Sequence, residues 1–454
     1  MKPAKIGLEI HGYLQTKEKL FCSCNAERHL AKQEIKPNTN ICPICTGQPG
    51  AKPMLPNSEA VKKILQIALM LDCKINKEIL WQRKHYDWPD LPKGYQDTIS
   101  GSYSTPNAEK GKFERIKIRE CHLEEDPAQW NPETGCIDYN RSGLPLVEIV
   151  TEPDFSSAEQ VEIWLKKLIL TLSYIKAVDK NAGIKADVNV SVSGGMRVEI
   201  KNLSSISDIK SAIEHEVERQ QKEKAIRETR RYDKIKGKTI PMRTKEEAAD
   251  YRFIPDPDLP ILKIKEQEIK SIRQKLPETP QEKLNKLIKQ HKIPKQNAEI
   301  LYKNLEIVEF FEQVSRKISP AYALPWVTIE LLRVLNYNKK TLDEVEINPE
   351  HFAELLQLVK SGKITELKAK RIINEFIPKS FSPKSKLKGQ EKITNKTEIE
   401  KIIQKVISKN KQAVQDYKSG RKESFNFLIG EVMKESKRRA DFKSVREILQ
   451  KMLR

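Results

Sequence analysis

The sequence predicts an α+β chain, with a front part mixing antiparallel strands and helices and an all-helical back part. Three observations carry this. Between Lys5 and Thr16, Ile6, Leu8 and Ile10 alternate with Gly7, Glu9 and His11, the period of two of a half-buried strand. Residues 186–201 repeat that period on both sides of Gly194-Gly195, the pattern of a hairpin. After about residue 260, glycine becomes scarce and Leu, Ile and Lys recur at helical spacing.

Taken in order, the first strand projects Glu9 and His11 from its polar face. Cys22-x-Cys24 and Cys42-x-x-Cys45 follow, two short-range pairs with the spacing of a zinc ribbon or knuckle. Each pair delivers two thiolates to one tetrahedral ion, and four sulfurs leave no open position, so the reading is structural zinc. Cys73, Cys121 and Cys136 stand alone and read as packing residues.

A helix is expected over 58–71, capped by Asn57 or Ser58, with Val61, Ile64, Leu65, Ala68 and Leu69 on one stripe. Residues 83–96 mix cations, aromatics and turn formers: Arg83, Lys84, Tyr86, Lys93 and Tyr95 either cradle a nucleotide or build an ordered surface loop. Glu124, Glu125 and Asp126 form an acidic cluster. Together with Glu9 and His11 it either holds a hard cation over an anionic substrate or is a solvated acidic turn. Strand alternation sends Glu124 and Glu125 to opposite faces, so both reach one ion only if the backbone leaves the ladder there.

Ser156-Ser-Ala-Glu159 reads as a capping box opening a helix with Val161, Leu165, Leu168 and Leu172 inward. In the hairpin, a two-residue turn would pair polar with apolar positions. A three-residue loop, 194–196, pairs Ser191 with Glu199 and Asn189 with Lys201, giving one polar face with Asp187, Asn189, Glu199 and Lys201. Helices are expected at 276–292, 298–317, 324–335 and 349–361, a linker at 378–389, and a helical tail from 398 to 453 broken at 418–421.

The 454 residues suffice for two or three domains, and 32% charged residues make the surface very polar. No run of about 18 apolar residues suggests a membrane span, and the N-terminus enters the strand pattern directly, without a signal sequence. Seven cysteines, four of them in two spaced pairs, therefore suggest a reducing, cytoplasmic setting. The net charge of +20 is uneven: residues 261–454 hold 42 Lys and Arg against 25 Asp and Glu. That asymmetry places chemistry in front and a grip on a polyanion behind. No P-loop or GxGxxG run appears, so an ATP site here is of another kind. No GxSxG and no Cys-His nucleophile pair marks an amidase, so any amide nitrogen must come from elsewhere.

Several blocks together resemble the GatB family, the B component of the GatCAB tRNA-dependent amidotransferase. They include Gly7-Leu-Glu-Ile-His11, Pro89-Asp-Leu-Pro-Lys-Gly-Tyr-Gln96, His122-Leu-Glu-Glu-Asp126 and the run from Asp138 to Asp154. Asp187-Val-Asn-Val-Ser191, Glu199-Ile-Lys-Asn-Leu203, Met242-Arg-Thr-Lys-Glu246 and Asp250-Tyr-Arg-Phe-Ile-Pro-Asp-Pro-Asp258 follow. Asp416-Tyr-Lys-Ser-Gly420 and Phe427-Leu-Ile-Gly-Glu-Val-Met-Lys434 resemble a YqeY-like end.

The resemblance implies an antiparallel-sheet cradle domain at 1–285 with a four-cysteine zinc insertion, a helical domain at 286–378 and a basic tRNA-binding tail at 379–454. It implies ATP- and Mg2+-dependent phosphorylation of the side-chain carboxylate of glutamate or aspartate mischarged on tRNA. Amidation would follow with ammonia from a GatA-type glutaminase, a small GatC-type protein bracing the pair. Mg2+ would be held by Glu9, His11, Glu124 and Glu125, Zn2+ by Cys22, Cys24, Cys42 and Cys45. Asp187 and Glu199 would complete a second cation site or help deprotonate ammonium, and Lys201 and Arg83 would contact phosphate. The chain departs from the family at Asp179-Lys-Asn-Ala-Gly-Ile-Lys-Ala186, at Gly12-Tyr13 and at Lys437-Arg-Arg-Ala-Asp-Phe442. The first departure keeps open an alternative, a non-catalytic tRNA-binding or assembly subunit retaining the cradle.

Overall fold

Ile6, Leu8 and Ile10 are fully buried, and the strand they predict, Ala4–Tyr13, lies in the middle of a large sheet. The computed structural model describes residues 3–26, 35–179, 183–244, 251–386, 393, 395–421, 423–437 and 439–453. Of the stretches singled out above, 180–182, Lys245, Glu246, Asp250, 387–389, Lys422 and Arg438 lie outside the described residues. The chain divides into two units, Met1–Thr279 and Pro280–Arg454.

In the first unit Ala4–Tyr13 pairs antiparallel with Pro145–Thr151 on one side and Ile184–Val192 on the other. Beyond Pro145–Thr151 come Ile116–Glu125, Tyr95–Thr98, Gln82–His85 and Arg252–Pro255. Beyond Ile184–Val192 come Val198–Leu203, Glu228–Asp233 and Lys238–Thr244. The expected all-antiparallel sheet is corrected at one place: Val198–Leu203 and Glu228–Asp233 run parallel, so the sheet is mixed. The helix Ile206–Lys222 supplies the crossover that a parallel pair requires.

Helices Ser58–Met70, Ala158–Tyr174 and Ile206–Lys222 share one hydrophobic core with Ile6, Leu8, Ile10, Ile149, Val188 and Ile200. Their apolar sides cover one face of the sheet, and the polar residues of the same strands are left on the other face. Asn57 caps the first helix through hydrogen bonds from the backbone N–H groups of Glu59 and Ala60. The second cap is Ser157 rather than Ser156; Gln160 reaches back to accept from the Ser156 N–H, a variant of the expected box displaced by one residue.

The hairpin register is also corrected. Asn189 pairs with Glu199 and Val190 with Val198, two residues away from the expected pairing. An even slip preserves the faces, so the apolar and polar sets stay as read. The connection is longer than a tight turn because its backbone is tied outward, Ser193 N–H to Pro3 O and Met196 N–H to Ala225 O.

In the second unit the helices begin at Pro280–Lys289, and the expected 298–317 helix is two, Lys295–Leu301 and Leu305–Ser315, the latter capped by Asn304. Pro325, inside Pro320–Tyr337, has no N–H to donate, and the next turn, Trp326–Leu331, widens to π geometry. Glu366–Asn374 was not anticipated from the sequence. Two separate apolar clusters form, one spanning Leu287–Phe376 and one Ile393–Leu453. Among the described residues no helix is long and apolar enough to cross a membrane.

Candidate active site on the polar face of the sheet

Strand pairing assembles the polar face residue by residue. Glu9 lies opposite Asp187, and His11 opposite Glu148 on one side and Lys185 on the other. Glu148 in turn lies opposite His122. The result is two neighbouring groups, His11 with Glu124 and Glu148, and Glu9 with Asp187 and Glu199; within each, one ligand atom per residue lies within 4.8 Å of the others.

Glu148 is the centre of the first group. Its Oε2 is 3.5 Å from His11 Nε2 and 3.1 Å from His122 Nε2. Although burial opposes the charged imidazole, hydrogen bonding and charge from Glu148 raise His11 to about 9. Burial opposes the charged form of His122 too, and Glu148 raises it to about 10. The reciprocal effect outweighs burial at Glu148 and holds its carboxyl well below the usual range. Glu124 accepts a hydrogen bond from Thr98 Oγ1 at 2.7 Å and is lowered, His122 overcoming burial and Glu148 repulsion.

In the second group Lys201 Nζ sits 2.7 Å from Asp187 and 3.0 Å from Glu199, and Asn189 donates to Glu9 Oε1 at 3.0 Å. Glu9 is raised by burial and by Glu148, Glu199 and Asp187, with Lys201 opposing. Lys201 thus offsets part of the charge of this trio, paired with Asp187 and Glu199. Lys201 was expected at a phosphate, and its ammonium is engaged by carboxylates instead.

Glu125 does not join either group. Its strand stays in the ladder through Glu125, so alternation holds and its side chain emerges on the opposite face. There Lys93 lies 2.5 Å from both Glu125 Oε1 and Asp97 Oδ2. Burial and the Glu125 charge push Asp97 well above the usual carboxylate range. Arg83 is on this face as well, held by Asp256 at 2.8 Å and Asp258 at 2.6 Å and stacked over Tyr95 at 4.3 Å. The single four-ligand set expected from the sequence is therefore split, and Arg83 and Lys93 are committed to internal ion pairs. Lys84 belongs to the first face: it lies opposite Gln96, which donates to Glu124, and its ammonium lies over Tyr251 at 4.9 Å and Tyr86 at 5.9 Å.

Sequence reasoning missed Glu148 and His122 as site members. The signal was present, since Leu146-Val147-Glu148-Ile149-Val150 is an apolar strand run with one carboxylate in it.

The four sulfurs of Cys22, Cys24, Cys42 and Cys45 lie within 4.8 Å of one another. Thiolates about 2.3 Å from a tetrahedral zinc are about 3.8 Å apart, so a small contraction would close the site. The Cys42 N–H donates to Cys45 Sγ at 3.1 Å. The neighbouring Cys22 thiol leads the interactions that lower Cys45 to about 4 against the effect of burial, the chemistry of a ligand thiolate.

The GatB/GatE catalytic domain family matches residues 4–270, and the GatB domain family matches 309–453. The chain is 41% identical over 466 residues to the B component of an aspartyl/glutamyl-tRNA(Asn/Gln) amidotransferase from Methanopyrus kandleri, covering 100% of this chain and 99% of that protein. It is 41% identical over 460 residues to the protein of the same name from Methanothermobacter thermautotrophicus, covering 99% and 100%. The Methanocaldococcus jannaschii protein of that name is 40% identical over 469 residues, covering 99% and 98%. Two domain matches in order and near-complete coverage of long relatives establish the assignment: the chain belongs to the GatB/GatE family of tRNA-dependent amidotransferase subunits.

Proposed function

We propose that this chain is the kinase and transamidase subunit of a glutamine-dependent tRNA amidotransferase, a carbon–nitrogen ligase. Its substrates would be Glu-tRNA(Gln), Asp-tRNA(Asn) or both, as in the name its relatives carry. The observation that carries the reading is the group His11, Glu124 and Glu148 at the centre of the polar face.

A carboxylate is a poor acyl donor because its leaving group would be oxide. In the first step a side-chain carboxylate oxygen of the mischarged residue attacks the γ-phosphorus of ATP and ADP departs. In the second, ammonia attacks the acyl carbon and phosphate departs, leaving the amide. Two carboxylates and one imidazole suit a divalent cation, with the oxygens the harder donors. Bound there, Mg2+ would neutralise charge on the transferring phosphoryl group.

The chain's own residues do the rest. Glu148 and Glu124 stay ionised beside the imidazoles of His11 and His122, Lys201 offsets part of the second acidic group, and Lys84 with Tyr86 and Tyr251 offers a cation and two rings to the nucleotide. Asp187 and Glu199 would complete a second cation site or help deprotonate ammonium. Ammonia would come from a GatA-type glutaminase with a GatC-type partner, and Cys22, Cys24, Cys42 and Cys45 would hold a structural Zn2+. The parts would be a cradle at 1–285, a helical domain at 286–378 and a tRNA-gripping tail at 379–454, working in the cytoplasm.

The test is ATP-dependent conversion of misacylated tRNA by the reconstituted complex. Glu124→Gln should lower phosphorylation by about two orders of magnitude while tRNA binding changes little. Near-normal conversion would favour a subunit that binds tRNA without performing the kinase step.

A further inference from the structure

His122 is fully buried, so no substrate reaches it, and it takes no part in the steps above. Its Nε2 nevertheless lies 3.1 Å from Glu148 Oε2 and 3.6 Å from Glu124 Oε1. It thus sits below and between two carboxylates contributed by different strands. Its other nitrogen, Nδ1, faces Glu120 Oε2 at 3.7 Å, and Glu120 accepts a hydrogen bond from Ser100 Oγ at 3.1 Å.

Two carboxylates this close repel one another. Left alone, one would rotate away or take a proton, and the pair would no longer offer one oxygen each to a common point. We propose that His122 is a positioning residue that holds Glu124 and Glu148 at the spacing a divalent cation requires, through an Nε2–H that bonds to Glu148 and lies in ion-pair range of Glu124. Residues behind the ligands of a metal fix their orientation, and removing them typically costs about 10- to 100-fold in affinity. Here one imidazole serves two ligands at once, and its burial fixes the ring. His11, on the far side of Glu148, is in contrast only half-buried and available as a ligand.

This rests on the proposed cation site, and the experiment separates the two. Mn2+ binding to the full-length protein is measured without ATP or tRNA, by the loss of the free-ion paramagnetic resonance signal. Wild type should bind and Glu148→Gln should bind far more weakly; a wild type that binds no Mn2+ removes the site and this role with it. His122→Gln places an amide N–H near the position of Nε2, and His122→Asn places it one bond short. His122→Asn should therefore lose about 10- to 100-fold in Mn2+ affinity and need correspondingly more Mg2+ for half-maximal phosphorylation, with a smaller loss at saturating Mg2+. His122→Gln should recover affinity to within about threefold of wild type, a rescue that a merely packing role would not produce. Equal affinities for both variants, whether wild-type or equally reduced, overturn the proposal. Should His122→Asn not fold, His122→Gln decides alone: a tenfold fall in its affinity overturns the proposal.

Discussion

Glu124 and Glu125 are neighbours in the chain with separate tasks. Glu124 shares a group with His11 and Glu148, whereas Glu125 neutralises a nearly buried Lys93. Glu125→Gln should therefore act first on stability, by about 2 kcal/mol, since it leaves a buried ammonium with one partner fewer; urea denaturation reads this. A pH effect belongs to the same scale. His11 and His122 are raised to about 9 and about 10. Their contribution to stability is complete below the ordinary histidine value of about 6.5. It is lost as pH rises through 9 and 10. In a chelator the denaturation midpoint should fall across that window, and Glu148→Gln should flatten the fall. A flat wild-type profile would show that these pairs do not form. At this scale the sequence was partly legible. Alternation placed Glu9 and His11 on a polar face and Glu124 and Glu125 on opposite faces, although the family resemblance implied all four around one ion. The lone carboxylate in the apolar run 146–150 marked Glu148 but not its neighbours, and His122 went unmarked, because cross-strand neighbours depend on which strands pair.

Among elements, period and caps were readable where local chemistry decides. Asn57 caps its helix as expected, and the polar set 187, 189, 199 and 201 shares one face. The hairpin connection failed because Gly194-Gly195 suggests a tight turn, while Pro3 and Ala225, distant in sequence, draw its backbone outward. Tyr302–Asn304 and Pro325 broke apolar periodicity in ways that spacing alone does not reveal. The cysteine pairs are the clearest local signal, and their four sulfurs are gathered. Purified protein should contain about one zinc per chain, and Cys45→Ser should lose it. Metal analysis of both decides; a wild type without zinc and with four freely titrating thiols would remove the site.

Across the whole molecule, charge is uneven along the sequence. Residues 379–454 hold 21 Lys and Arg against 9 Asp and Glu, and the tail has its own apolar cluster around Ile399, Leu428 and Leu449. Deleting 379–454 should leave the remainder folded, weaken tRNA binding and reduce its salt dependence, because fewer counterions are released. Filter binding at several salt concentrations reads both, and unchanged affinity would place the grip elsewhere. What composition could not show is the mixed sheet, since the parallel pair depends on how the helix Ile206–Lys222 crosses over.

The strand Ile116–Glu125 keeps both of its faces occupied, one by His122 and Glu124 and the other by Glu125 against Lys93. Such a segment behaves as a length standard. Individual residues in it can be exchanged at a graded cost, but one inserted or deleted residue between Cys121 and Glu125 would transpose the two electrostatic compartments in a single event. Among homologous chains, this strand should therefore vary in letters and never in length.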